Sequence, residues 1–259
     1  MRILLLTHAF NSLTQRLAAE LRQRGHLVSV EFDISDSVTE EAATLFSPDL
    51  IVAPYLRRAI PESVWQRFVC LIVHPGVVGD RGPSALDWAI LQQQTAWGVT
   101  VLQAQGQMDA GPVWASAPFA MRPASKASLY RHEVSQTATD AVLQAVAHVA
   151  ACNFAPQRPG SSPWQPLVRQ ADRAIDWQAD SSATVLRKIR SADGFPGVAD
   201  ALFGQPCHVF DAWPESSWRG IPGEVLAQRE TALLRATVDG AVWLGHVKRT
   251  GSIKLPATL

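Results

Sequence analysis

Two side chains in this sequence stand where an acid–base pair can form. His74 closes the apolar run Val69 to Val73, and Pro75 behind it biases it towards an extended conformation. An imidazole at the carboxyl end of a buried strand projects into the crevice where open α/β sheets bind ligands. Asp109 lies in Gly106-Gln107-Met108-Asp109-Ala110-Gly111-Pro112, a loop between two later strands that can lie beside His74. A carboxylate next to an imidazole orients the ring and makes it a usable proton donor or acceptor. Taken singly, His74 also reads as a strand-terminal histidine satisfied by a loop carbonyl, and Asp-Ala-Gly as a turn. Arg57-Arg58 can meet phosphates or remain a solvated pair, and His8, ending the first strand, can face the same crevice.

The elements that must position these residues follow from periodicity. Short apolar runs alternate with helical stripes, the pattern of a parallel sheet with helices on both faces. Strands are expected at Arg2 to Thr7, Leu27 to Phe32, Leu50 to Ala53, Val69 to Val73, Gly98 to Gln103 and Val113 to Phe119. Helices are expected after Ser12 as N-cap, with Gly25 ending the first, at Val38 to Phe46, after Pro61, from a Ser84/Asp87 capping box towards Gln94, and at Ala127 to Ala151. Pro, Gly, Ser and Arg then cluster without periodicity, giving a catalytic domain over 1–155, a linker over 156–165 and a small domain over 166–259. That last part carries a helix at Ser182 to Arg190 and strands at Cys207 to Trp213, Glu224 to Gln228, Ala232 to Val238 and Ala241 to Lys248. Asp239-Gly240 reads as a two-residue hairpin turn, and the strands as a small open barrel. Most of the nine tryptophans, among them Trp164, Trp177, Trp213, Trp218 and Trp243, fall in or near it and are expected in packing.

Composition narrows the function classes. The 259 residues are 47% hydrophobic, with 23 basic and 23 acidic side chains, so no global charge draws the chain to nucleic acid or to an anionic membrane. The segment Glu31 to Glu41 is acidic, which speaks against an RNA face. Three separated cysteines fit a reducing compartment, and no apolar run is long enough for a signal peptide or membrane span, so the expected location is cytoplasmic. The first strand-to-helix turn, Thr7-His8-Ala9-Phe10-Asn11-Ser12, has no glycine, which removes a dinucleotide site. No Walker loop, Cys-x-x-Cys pair or His-Glu-x-x-His occurs, and no metal is expected.

Together, His74-Pro75, Arg81-Gly82, Trp88-Ala89-Ile90, Gly98-Val99-Thr100 and Asp109-Ala110-Gly111 resemble, in order and nearly in spacing, the folate-dependent formyltransferases. One residue is missing between His74 and Arg81. The likeness extends to Gly25-His26, Ile60-Pro61 and Ile175-Asp176-Trp177, and so covers essentially the whole chain. It implies a Rossmann-like, doubly wound, mostly parallel sheet followed by a small β-rich, OB-like domain. Within the family the chain is most similar to the amino-terminal module of the HypX/HoxX hydrogenase-maturation factors, through Ile72-x-His74 and the tract Pro54 to Pro61.

The resemblance implies formyl transfer from 10-formyl-tetrahydrofolate, a co-substrate, with His74 and Asp109 catalytic and Ile72 at the position where the family carries asparagine. That amide helps hold the oxyanion in the family, and losing one such donor typically costs about 2.7–4 kcal/mol. An apolar Ile72 can instead suit a thiol acceptor, whose thiolate is a strong nucleophile. The implied acceptor is coenzyme A, met by Arg57, Arg58 and His8, with formyl-CoA a precursor of the carbon monoxide ligand of nickel–iron hydrogenase. The donor is placed along Leu102 to Met108, with Leu102, Gln103, Gln107, Met108 and Arg81 as candidates, Arg81 and Gly82 also shaping the loop. In that group an enoyl-CoA-hydratase-like module follows; the sequence ends directly after its last strand, and we expect it to be part of a longer protein. Formylation of an amino sugar or of initiator tRNA, and a catalytically silent folate- or CoA-binding module, stay open as alternatives.

Overall fold

The computed structural model describes residues 1–160 and 163–259; Ser161 and Ser162, inside the expected linker, lie outside the described residues. The chain divides into two compact units, one comprising Met1–Ala85, Ala96–Met121 and Tyr130–Pro166, the other Leu86–Thr95, Arg122–Leu129 and Leu167–Leu259. Cys70 and Cys207 are buried, Cys152 is exposed, and all three are free.

In unit 1, β1 (Arg2–Thr7), β2 (Leu27–Phe32), β3 (Leu50–Tyr55), β4 (Cys70–His74), β5 (Ala96–Gln103) and β6 (Val113–Ala120) form one sheet in the order β2-β1-β3-β4-β5-β6. Pairing is parallel from β2 through β4 and antiparallel for β5 and β6. Ile3, Leu5 and Val52, with Leu4 and Ile51 on the alternate face, are 1% exposed or less, as near-continuous apolar strands covered on both faces must be.

The crossovers are α1 (Ser12–Gln23), α2 (Asp36–Phe46) and α3 (Glu62–Trp65). The cap of α1 is Asn11 and not Ser12: Asn11 Oδ1 accepts from the Thr14 N–H at 3.0 Å, while Ser12 is already helical. The helix expected over Ala127 to Ala151 is helical throughout but carries a π turn near its start. A short helix α5 (Lys126–Leu129) of unit 2 is followed, in unit 1, by a π turn at Tyr130–Val134 and α6 (Ser135–Ala151). Ser135 Oγ donates to the Tyr130 carbonyl five residues back at 2.7 Å, in keeping with a turn widened by one residue.

Unit 2 contains α4, of which Leu86–Leu91 of Ala85–Leu91 belong to it, and α7 (Ser182–Ala192), capped by Ser181. Its sheet runs β7 (Val198–Leu202), β8 (Gln205–Glu215), β11 (Ala241–Arg249), β10 (Leu233–Ala236), β9 (Val225–Gln228), with β12 (Lys254–Pro256) also on β11. Its strands pair antiparallel. Val185, Ile189, Val209, Val242 and Leu244 make its core. The turn at Asp239-Gly240 is not the two-residue hairpin expected. Ala236 pairs with Ala241, so Thr237 to Gly240 form a longer loop, because Asp239 Oδ1 is used otherwise, accepting from the Ser182 N–H at 2.7 Å at the start of α7. That hydrogen bond holds the Asp239 carboxyl below the usual carboxylate range. Trp177 and Trp243 are buried as expected, whereas Trp164 and Trp218 are 45% and 48% exposed and pack no core.

Candidate active site

His74 is the last residue of β4 and pairs with Thr100 of β5. Alternation along β4 puts Cys70, Ile72 and His74 on one face. Cys70 lies in the apolar cluster of Leu4, Leu6, Ile51 and Ala53, and Ile72 packs against it. His74 extends that row beyond the cluster and is 5% exposed. Leu102 and Thr100 are the cross-strand neighbours of Ile72 and His74.

The chain after β4 is pinned by its neighbour strand. Trp97 Nε1 donates to the Pro75 carbonyl at 2.9 Å and Thr100 Oγ1 to the Gly76 carbonyl at 2.8 Å. A turn follows in which the Asp80 N–H donates to the Val77 carbonyl at 2.9 Å. It folds Asp80 back onto the ring: Asp80 Oδ2 is 2.8 Å from His74 Nε2, and Asp80 Oδ1 accepts from Gln165 Nε2 at 3.1 Å. Gly76 is required here, since a Cβ would stand 2.4 Å from His74 Nε2 and 2.5 Å from Asp80 Oδ2.

On the other side of the ring, Asp109 Oδ1 is 3.8 Å from His74 Nδ1, close enough for charge attraction and beyond a hydrogen bond. Asp109 has φ +53°, a conformation aspartate tolerates. Its Oδ2 accepts from the Gly82 N–H at 3.0 Å, and the Arg81 guanidinium donates to the Met108 carbonyl at 3.2 Å. Arg81-Gly82 therefore brace the Asp109 loop against the His74 loop. Gly82, at φ +129°, leaves no room for a Cβ, which would lie 2.0 Å from the Gln165 carbonyl oxygen. Among these three carboxyl and imidazole side chains the exposures are 6% for His74, 2% for Asp80 and 10% for Asp109.

The candidate donor segment starts at this site. Leu102 is buried; Gln103 Oε1 accepts from Trp114 Nε1 at 3.1 Å; Gln107 and Met108 are exposed on the loop that leads to Asp109. His8, Arg57 and Arg58 form a separate cluster at the carboxyl ends of β1 and β3. His8 Nδ1 is 2.8 Å from Asp33 Oδ1, and the backbone N–H groups of Arg57 and Arg58 donate to Asp33 Oδ2 at 3.2 and 3.4 Å. The Arg58 guanidinium is paired with Asp36 at 2.7 Å, and Arg57 Nε donates to the Tyr55 hydroxyl. Tyr130 lies close by; burial pushes its phenol up to about 12, partly offset by a hydrogen bond with Asn11. Among the described residues no group of three or more His, Cys, Asp or Glu converges as a metal site does, and no helix is long and apolar enough to cross a membrane.

Sequence reasoning did not single out Asp80, Gln165 or Asp33. Asp80 follows Gly79, a turn signal, but nothing local says that its carboxylate turns inward. Gln165 belongs to the segment expected as a linker, which is in fact tied to unit 1 here and at Gln157, paired with Val113.

A doubly wound sheet with a histidine and a loop aspartate at the end of β4, joined to a smaller antiparallel unit, is the arrangement of the formyl transferases, and the chain belongs to that family. The formyl transferase model matches residues 33–146, and the model of the formyl transferase C-terminal domain matches residues 167–258. The hydrogenase maturation factor HoxX of Bradyrhizobium diazoefficiens is 58% identical over 263 aligned residues, which cover 99% of this chain and 46% of that protein. Methionyl-tRNA formyltransferase of Syntrophus aciditrophicus is 28% identical over 83% of this chain and 70% of its own. The crystal structure of HypX from Aquifex aeolicus in complex with tetrahydrofolic acid superposes with a TM-score of 0.96 at 47% identity, covering all of this chain and 46% of that one. The chain thus spans a little under half the length of the HoxX and HypX proteins that it matches.

Proposed function

We propose that the chain transfers a formyl group from 10-formyl-tetrahydrofolate to the thiol of coenzyme A. The observation that carries this reading is the buried imidazole of His74 with Nδ1 turned towards Asp109, in a formyl transferase whose position 72 is isoleucine. The similarity to HoxX, and to a HypX protein solved with tetrahydrofolic acid, supports the folate donor and a place in hydrogenase maturation. In this mechanism the acceptor attacks the formyl carbon, His74 carries the proton and steadies the oxyanion, and Asp109 assists delivery of the proton to the departing folate nitrogen. General acid–base help of this kind is typically worth about 10²- to 10⁴-fold. Leu102, Gln103, Gln107, Met108 and Arg81 form the donor side. His8, Arg57 and Arg58, organised by Asp33, are the candidate contacts for the phosphates of the coenzyme, and Ile72 supplies the apolar wall beside the thiol. The formyl-CoA so made would pass to an enoyl-CoA-hydratase-like module, fused or associated downstream, for release of carbon monoxide.

The test is to incubate the 259-residue chain with 10-formyl-tetrahydrofolate and coenzyme A and to follow formyl-CoA by mass spectrometry beside His74→Ala. Product that disappears in the variant supports the reading. Donor binding without product from coenzyme A, an amino sugar nucleotide or initiator tRNA would replace it with that of a silent binding module.

A further inference from the structure

We infer that Asp80 is a positioning residue that holds His74 with its proton on Nε2, leaving Nδ1, the nitrogen facing Asp109, as the ring atom that exchanges a proton with substrate. The inference rests on the formyl-transfer reading of the site, and it concerns a residue outside the His74/Asp109 pair on which that reading is built.

Three observations converge on it. First, the contact is short and dry: 2.8 Å, with side chains 6% and 2% exposed, so no water competes for either partner. Second, both Asp80 oxygens are engaged: Oδ1 accepts from the Gln165 amide at 3.1 Å, and Oδ2 stands 2.8 Å from the ring nitrogen Nε2. An ionised carboxylate has no proton to give, so Nε2 must be the donor; a neutral imidazole has only one N–H, so its lone pair lies on Nδ1. Third, the geometry has little freedom. Gly76 lies against the hydrogen bond with no space for a Cβ, Thr100 and Trp97 pin the loop from β5, and the Gln165 N–H donates to the Arg81 carbonyl at 2.8 Å.

Asp80 faces the ring from its own loop and Asp109 from the loop after β5; β5 itself presents the uncharged Thr100. The Arg81 guanidinium is engaged by the Met108 carbonyl, with the Trp164 ring 6.0 Å away. The ring is therefore bracketed by two carboxylates, hydrogen-bonded to one and 3.8 Å from the other.

This arrangement gives the transfer a balanced proton route. His74 Nδ1 takes the proton of the acceptor thiol as sulfur bonds to the formyl carbon and the carbonyl electron pair moves onto oxygen. The ring is then an imidazolium, still donating Nε2–H to Asp80, and its new Nδ1–H faces the oxyanion. As the intermediate collapses the carbon–nitrogen bond breaks, and that proton passes to the folate nitrogen. The products are a formyl thioester and tetrahydrofolate, and His74 returns to its starting state. Asp80 does here what the buried aspartate of a Ser-His-Asp triad does, fixing the tautomer and steadying the cation without itself being protonated.

The experiment is ¹⁵N NMR of histidine-labelled protein, wild type and Asp80→Asn, combined with steady-state kinetics. In the wild type the His74 ring is expected to show the proton on Nε2 and a bare Nδ1. In D80N, which keeps the shape of the side chain, that preference is expected to be lost, kcat to fall about 10²- to 10⁴-fold, and KM for the folate donor to stay within about threefold. A wild-type ring protonated on Nδ1 when neutral, or D80N turnover within about threefold of wild type while His74→Ala is inactive, would overturn the inference and leave formyl transfer standing. Absence of transfer by the wild type to any acceptor would instead remove the formyl-transfer reading, and with it Asp80's role in a transfer step. The wild-type ring spectrum, which needs no variant and no turnover, decides the positioning itself even if D80N does not fold.

Discussion

His8–Asp33 and His74–Asp80 are both histidine–carboxylate pairs at the carboxyl ends of strands in one sheet, and both are 2.8 Å apart. Their surroundings separate them. The His8 side chain is 36% exposed and its aspartate also serves the Arg57 and Arg58 backbone, so water screens the pair and Asp33 works mainly as a loop brace. His74 is 6% exposed, has a second carboxylate across the ring, and lies next to an apolar residue on its own strand. Distance alone thus says little about whether a histidine can do proton chemistry. Exclusion of water, and what stands at the other nitrogen, decide it.

The largest expected effect tests that contrast directly. His74→Ala should reduce formyl transfer by at least about 10²-fold, whereas His8→Ala should leave kcat within about threefold; equal losses in steady-state assays would erase the distinction. Next in size is the bracing of the buried site. Gly82→Ala should lower folding stability by about 3 kcal/mol, read by chemical denaturation, because the added Cβ meets the Gln165 carbonyl and the backbone is left-handed. Gly25→Ala, also at positive φ but with nothing within 4 Å, should cost about 1 kcal/mol.

Smaller effects sharpen the two clusters as acceptor features. Ile72→Asn should shift the ratio of amine to thiol formylation about tenfold towards the amine, measured by competition between the two acceptors, since an amide there offers an oxyanion donor. Arg58→Ala should raise KM for coenzyme A only about threefold at low salt, and the effect should fade as salt is added, because an exposed guanidinium acts through a screened field.

The parts of this site visible in the sequence were those fixed by local grammar. His74-Pro75 after an apolar run and Asp109-Ala110-Gly111 between two strands each announce a strand end and a turn, and the structure puts the Asp109 carboxylate 3.8 Å from the His74 ring. The sheet was legible for the same reason, since β1 and β2 begin and end where their apolar runs do. Asp80 was not legible, because whether a loop carboxylate faces solvent or an imidazole depends on Thr100 and Trp97, more than fifteen residues on. Gln165 was hidden in a stretch whose composition reads as tether. Asp239 looked like half of a hairpin turn because its competing partner, the Ser182 N–H, is far away in sequence. The edge strands β7 and β12 gave no signal: Val198-Ala199-Asp200-Ala201-Leu202 has no β-branched or aromatic residue after its first, and β12 is only three residues long.

Protein dissection must respect the brace made by Gln165. The compositional break invites a cut after Ala155, and a polypeptide ending there would retain His74, Asp80 and Asp109. It would lose the amide on Asp80 Oδ1, the backbone hydrogen bond to the Arg81 carbonyl and the bridge between Gln157 and Val113. A segment that keeps all three contacts must run at least to Pro166, and it takes along Leu86–Thr95 and Arg122–Leu129, which belong to the other unit.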